Sequence, residues 1–114
     1  MLFLCYSKCS TCKKAQNHLD EKKLKYTLRD IKEHNPSKEE LREWILKSGL
    51  AIDKFFNTSG LKYKELNLSQ RKKDMSFDEK LELLSQDGML VKRPILVKGN
   101  KVLIGYKQEE YQAL

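Results

Sequence analysis

The sequence predicts one α/β domain, and three features carry that prediction. A strand-like start, Leu2 to Tyr6, passes through Cys9-Ser10-Thr11-Cys12 into a helical pattern and then a second strand-like run. The middle of the chain, about 37–86, is almost wholly helical in pattern. Two apolar runs around Gly99-Asn100, the first opened by Pro94, form a hairpin pattern at the far end. The expected architecture is a four-stranded mixed sheet, with the helical insertion between a strand–helix–strand unit and a C-terminal β-hairpin. A chain of 114 residues is long enough for one modest core, so residues 1–114 are read as a single domain.

Leu2, Phe3, Leu4, Cys5 and Tyr6 are strand formers, and Ser7-Lys8 breaks their apolar pattern. From Ser10 the pattern is helical: Thr11 can cap, Lys13, Lys14, Ala15 and Gln16 favour helix, and Ala15 with Leu19 makes an i,i+4 face ending near Lys22-Lys23. Leu24 to Ile31 reads as the second strand, with Leu24, Tyr26, Leu28 and Asp30 alternating against Lys25, Thr27 and Arg29.

Residues 33–37 form a loop in which His34 faces solvent, and Ser37 with Glu40 is a capping box for a helix carrying Leu41, Trp44 and Ile45. Gly49 stops that helix. Ile52, Phe55 and Phe56 give a short apolar face of one or two turns, and Asn57-Thr58-Ser59-Gly60 is a turn cluster. A brief helix to Leu66 follows, Ser69 to Asp74 is polar, and Ser76 with Glu79 starts a helix whose Leu81, Leu83 and Leu84 face partly inward until Asp87-Gly88. Ile95-Leu96-Val97 and Lys101 to Ile104 are the hairpin strands, and Gln108 to Ala113 is a terminal helical turn or two with Tyr111 inward.

The chemistry of the chain is concentrated in its close pair of thiols. Cys9 falls at or just before the first helical turn, where unpaired backbone N–H groups and the neighbouring Lys8 and Lys13 favour the anionic form of its sulfur. Cys12 is one turn on and can close on Cys9, so attack by Cys9 on a disulfide or oxidised sulfur, followed by attack from Cys12, makes a complete two-thiol cycle. Two bland readings stand beside this one: an inert pair, and zinc ligation, for which only Cys5, His18 and His34 remain as donors beside carboxylates. Cys5 alternates into the strand interior as a small hydrophobe. At the other end, Arg93-Pro94 is open to either isomer; a cis bond turns Arg93 toward the cysteines, where its planar fork can hold an oxyanion or the tail of a thiol substrate.

Composition narrows the setting. An odd cysteine count of 3 argues against a secreted disulfide scaffold, and neither a signal-like leader nor a stretch of bilayer-spanning length is present, so a cytoplasmic location is expected, with no membrane partner. Lys and Arg number 23 against 16 Asp and Glu, a formal +7, which steers acidic partners or keeps a small protein soluble. Those positive charges are scattered and mostly lysine, whereas base and phosphate reading is arginine-led, so no direct DNA binding is expected.

Element order alone resembles the thioredoxin fold with a helical insertion. In detail, Tyr6, Cys9 to Ala15, Leu19, Pro36-Ser37, Glu40-Leu41, Phe56 to Gly60, Tyr63, Leu66, Leu84, Asp87-Gly88, Lys92-Arg93-Pro94 and Gly105-Tyr106 resemble the arsenate reductase family, ArsC, over nearly the whole chain. The likeness is strongest to the small members grouped with the thiol-bearing regulators Spx and MgsR. It implies Cys9 as the catalytic thiolate, Cys12 as the second cysteine of a redox-active pair, Arg93 as the oxyanion-holding arginine and Pro94 as the cis-proline after it. Lys13 stands where the family often has arginine after the thiol loop. Asn57 lies near a further expected arginine, and Gly105-Tyr106 takes the place of another.

The implied catalytic set is therefore Cys9, Cys12 and Arg93, with Lys13, Arg93, Pro94 and Asn57 in substrate binding. No bound cofactor is implied, and the glutaredoxin–glutathione or thioredoxin system is the expected electron donor. Three functions follow from the resemblance: a thiol–disulfide oxidoreductase, an Spx-like redox-sensing regulator that binds the RNA polymerase alpha C-terminal domain through the region of Ser48-Gly49-Leu50, and a thiol-dependent arsenate reductase.

Overall fold

The computed structural model describes residues 1–114. Its sheet is ordered β2-β1-β3-β4, from β1 (Leu2–Cys5), β2 (Thr27–Asp30), β3 (Ile95–Lys98) and β4 (Lys101–Ile104). β1 runs parallel to β2 and antiparallel to β3, and β3 and β4 form the antiparallel hairpin. This is the thioredoxin-like arrangement expected, with a mixed sheet of four strands.

Period-two alternation divides the core into two layers. Phe3 and Cys5 of β1, Leu96 of β3 and Leu103 of β4 pack with Cys12, Ala15 and Leu19 of α1 (Ser10–Glu21) and Tyr111 of α6 (Gln108–Gln112). Leu4, Ile95, Val102 and Ile104 point the other way, into a larger cluster with Leu41, Trp44 and Ile45 of α2 (Lys38–Ser48) and Leu81 and Leu84 of α5 (Phe77–Gln86). Cys5 thus shares a layer with the first turn of α1.

Both predicted capping boxes form: Ser37 Oγ accepts from the Glu40 amide at 3.1 Å, and Ser76 Oγ from the Glu79 amide at 3.1 Å. Gly49 closes α2 at φ 70°, a left-handed position where glycine carries no Cβ penalty. A short 3-10 turn over Ile52–Phe55 and the helix α3 (Leu61–Glu65) occupy the places the pattern indicated.

Several local expectations are corrected. Cys9, not Thr11, is the N-cap of α1, because Cys9 has extended backbone angles while its carbonyl already accepts the Lys13 amide. The second strand is only Thr27–Asp30, and it is an edge strand, so Leu28 is 55% exposed while Arg29 turns inward to a bidentate pair with Glu40. The polar stretch 69–74 is, as expected, mostly exposed and part of the helical middle, in α4 (Leu68–Arg71) and a 3-10 turn (Lys72–Asp74), and the fully buried Leu68 anchors it. Leu83 faces inward in part, as expected, beside the fully buried Leu81 and Leu84.

One glycine is dictated by close approach. A Cβ on Gly88 would meet the Ile31 carbonyl oxygen at 1.8 Å, so the end of the insertion lies directly against the backbone after β2. No helix is long and apolar enough to cross a membrane.

Candidate active site

Cys9 occupies the mouth of α1. Its amide donates to the Tyr6 carbonyl at 3.0 Å, and its side chain makes no capping bond, leaving the sulfur half-buried at the helix start. The amides of Ser10, Thr11 and Cys12 follow it as the unpaired donors of the first turn, an environment suited to negative charge.

Cys12 is fully buried. The Tyr6 amide donates to its Sγ at 3.3 Å, and its side chain also lies within hydrogen-bonding reach of Cys9. A hydrogen bond with Cys5, and then burial, push the Cys12 thiol well above the ordinary range. Cys12 therefore holds its proton at neutral pH. All three cysteines are free thiols.

Arg93 and Pro94 reach this place through pairing at the sheet's end. The Phe56–Val91 bridge, the Asn57 amide donating to the Leu90 carbonyl at 2.8 Å and the Lys92 amide donating to the Phe55 carbonyl at 2.8 Å zip residues 55–57 against 90–92. Asn57 is thereby brought beside Arg93. The Arg93-Pro94 peptide is cis, Pro94 is buried, and its carbonyl accepts the Gly105 amide at 2.8 Å.

The Arg93 guanidinium lies 5.1 Å from the centroid of the Tyr6 ring, yet its Nε and Nη1 are buried with no hydrogen-bond partner. A planar fork with idle donors is suited to a carboxylate or a tetrahedral oxyanion. A cavity of about 320 Å³ includes Cys9, Asn57, Lys92, Arg93 and Tyr106 in its lining. Next to it, a cleft of about 580 Å³ shares Asn57, Ser59 and Arg93 with the first and adds Lys62 and Asp87.

Cys9, Arg93 and Asn57 thus line one cavity, whereas Pro94, next to Arg93 in the chain, is buried and is not part of its lining. Lys13 is exposed on the first turn of α1 and does not line that cavity; Lys92 does. Lys92, Ser59 and Tyr106 were not singled out as binding residues by the sequence, and only Gly105, the glycine before Tyr106, could have hinted at them. It has φ 73°, and a Cβ there would meet Lys92 Cε at 3.1 Å, so its lack of a side chain leaves room for that lysine. His18 ties Tyr106 in place, with Nδ1 2.7 Å from the Tyr106 hydroxyl and Nε2 2.6 Å from Gln112 Oε1. No three or more His, Cys, Asp or Glu side chains are grouped to hold a metal ion.

A family comparison agrees with this layout: the profile described as "ArsC family" matches residues 4–114. The chain belongs to the ArsC family. Among ArsC-like relatives, Bacillus subtilis YusI is 49% identical over 112 residues, covering 98% of this chain and 95% of YusI. The "Regulatory protein MgsR" of the same organism is 32% identical over 110 residues, covering 96% of this chain and 86% of MgsR. The crystal structure of an ArsC family related protein from Bacteroides fragilis superposes with a TM-score of 0.96 at 50% identity, covering 98% of this chain and 94% of that one. Family membership and the thioredoxin-like fold therefore stand together.

Proposed function

We propose that this ArsC-family chain is a cytoplasmic thiol–disulfide oxidoreductase with Cys9 as nucleophile and Cys12 as resolving thiol. One observation carries the reading: Cys9 shares a cavity with an Arg93 whose guanidinium has idle buried donors, and the protonated Cys12 lies behind it. Cys9 thiolate attacks one sulfur of a substrate disulfide, forming a mixed disulfide and expelling the other half as thiolate. Arg93 and the free amides of the first turn hold the substrate's anionic group and the departing charge. Cys12 then attacks the Cys9 sulfur as its proton passes to the departing second half, which leaves as thiol, and a Cys9–Cys12 disulfide remains. A glutathione–glutaredoxin or thioredoxin system returns it to two thiols. Asn57, Lys92 and Pro94 shape the groove, and Lys13 adds positive charge at its approach.

The test uses the purified protein with its Cys9→Ser and Cys12→Ser forms, offered glutathione disulfide and each reducing system. Cys12→Ser is expected to accumulate a glutathione adduct on Cys9, visible by intact mass, and Cys9→Ser to turn over nothing. Equal turnover by wild type and Cys9→Ser refutes the assignment. Added arsenate tests the arsenate reductase reading, which requires arsenate-dependent oxidation of the donor.

A second reading draws on a different surface. Leu46, 73% exposed, and Leu50, 43% exposed, flank Ser48-Gly49 at the end of α2, and one relative bears the name of a regulatory protein. In this reading the thiol pair is a redox switch, and that surface binds the RNA polymerase alpha C-terminal domain. A pull-down with that domain in both redox states decides it, binding in neither state being the refuting result.

A further inference from the structure

The proposed two-thiol cycle leaves Cys5 without a role, yet the fold packs Cys5 against Cys12. The two thiols share the Tyr6 backbone and lie within hydrogen-bonding reach of each other: Cys5 Sγ donates to the Tyr6 carbonyl at 3.7 Å, and the Tyr6 amide donates to Cys12 Sγ at 3.3 Å. Both thiols belong to the same buried layer between the sheet and α1, with Cys9 packed at its margin. Cys12 is thus flanked by two sulfurs, Cys9 on the side of the Arg93 cavity and Cys5 on the side of β1.

Cys5 also has an approach of its own. It lines a cavity of about 280 Å³ with Ser7, Gln16, Leu28 and Asp30, and none of these residues lines the cavity of Cys9 and Arg93. Leu28 of this lining is exposed on the edge strand, so the cavity meets solvent at the β2 side. A small thiol can enter there without crossing the substrate cavity.

We propose that Cys5 is the third thiol of a relay, taking the disulfide from Cys9–Cys12 onto Cys5–Cys12 and freeing Cys9 as thiolate. The inference rests on the proposed Cys9–Cys12 cycle. In the step, Cys5 loses its proton to solvent through its own cavity, its thiolate attacks Cys12 Sγ, the Cys5–Cys12 bond forms, the Cys9–Cys12 bond breaks, and the electron pair leaves on Cys9. One disulfide and one free thiol stand on each side, so nothing is oxidised or reduced overall. Two equivalents of a small thiol such as glutathione, entering by the Cys5 cavity, then reduce Cys5–Cys12 through a mixed disulfide and leave as their own disulfide, while Cys9 is already free to meet the next substrate.

Trypsin separates the two products cleanly, because Lys8 lies between Cys5 and Cys9 while Cys9 and Cys12 share the peptide ending at Lys13. The wild-type protein is oxidised with glutathione disulfide, quenched in acid, alkylated and mapped by mass spectrometry. The relay predicts a disulfide-linked pair of peptides, 1–8 joined to 9–13 through Cys12, alongside the internally closed 9–13 peptide. Oxidised Cys9→Ser is expected to give the linked pair alone, and Cys5→Ala or Cys5→Ser to lose it while keeping the closed peptide. Only the closed peptide in wild type, with two free thiols persisting in Cys9→Ser, overturns the relay and leaves the two-thiol cycle standing. No intramolecular disulfide of either kind in wild type overturns both.

Discussion

Replacing Arg93 with methionine separates the cost of holding an anion site ready from the benefit of filling it. In the unliganded protein two guanidinium donors, Nε and Nη1, are buried without a partner. Each such donor costs about 1 kcal/mol at the low end of the usual range, so removing both returns about 2 kcal/mol. Loss of the stacking on Tyr6, 5.1 Å away, subtracts about 0.5–1 kcal/mol. The net expectation for Arg93→Met is a gain of about 1 kcal/mol, or about 4 °C in Tm for a domain of this size. Anion binding moves the other way. Two charge-assisted hydrogen bonds at about 1.5 kcal/mol each amount to about a hundredfold in affinity. Thermal unfolding across a phosphate titration at constant ionic strength reads both effects: wild-type Tm rises with phosphate by mass action, whereas Arg93→Met starts higher and stays flat. Arg93→Lys, which keeps the charge but not the fork, falls between them. A variant that unfolds below wild type and still responds to phosphate at the same concentrations refutes the reasoning.

Other consequences are equally specific. Gly88→Ala places a Cβ 1.8 Å from the Ile31 carbonyl oxygen and is expected to cost about 3 kcal/mol or more in denaturant unfolding; a loss under about 1 kcal/mol contradicts the close approach. Ser37→Ala and Ser76→Ala each remove a capping-box acceptor and are expected to cost about 1 kcal/mol in the same measurement. Arg29, through its side-chain bonds, holds the Glu40 carboxyl below its usual range, so this pair's stabilisation is present above the unfolded value of about 4.3 and is lost as pH falls through the folded one. Glu40→Gln should flatten that acid limb; an unchanged limb counts against it. Burial raises Tyr111, whose hydroxyl has no partner, so the unfolded chain alone ionises above about pH 10 and stability falls as pH rises further. Tyr111→Phe should make that alkaline slope shallower without loss of stability at neutral pH, the remainder coming from Cys12 and Tyr26, which are also raised.

What could be read from the sequence was set by short-range rules. The Ser37–Glu40 and Ser76–Glu79 boxes close within one helical turn, so their residues predict them without reference to anything distant. Strand alternation likewise sent Cys5 to the interior, and the Gly99-Asn100 turn set the hairpin register of Lys98 against Lys101. Leu68 was missed because a single apolar residue in a polar run has no periodicity, and only the cluster around Phe56 and Tyr63 gives it a place. Leu28 misled because alternation does not say whether a strand lies at the edge.

The sequence by itself determined the order of elements, the position of Cys9 at a helix mouth and the proximity of Cys12 one turn later, because all three follow from hydrogen bonds and periodicities spanning a few residues. Tertiary structure alone decided that Asn57 and Lys92 join Arg93 around that thiol, since the Phe56–Val91 pairing that brings them together closes a loop no local pattern encodes. It also decided that Arg93 keeps idle donors and that Cys5 lies against Cys12 with a separate opening. Burial and unmet hydrogen bonds are properties of the packed surroundings, and those exist only after distant segments have met.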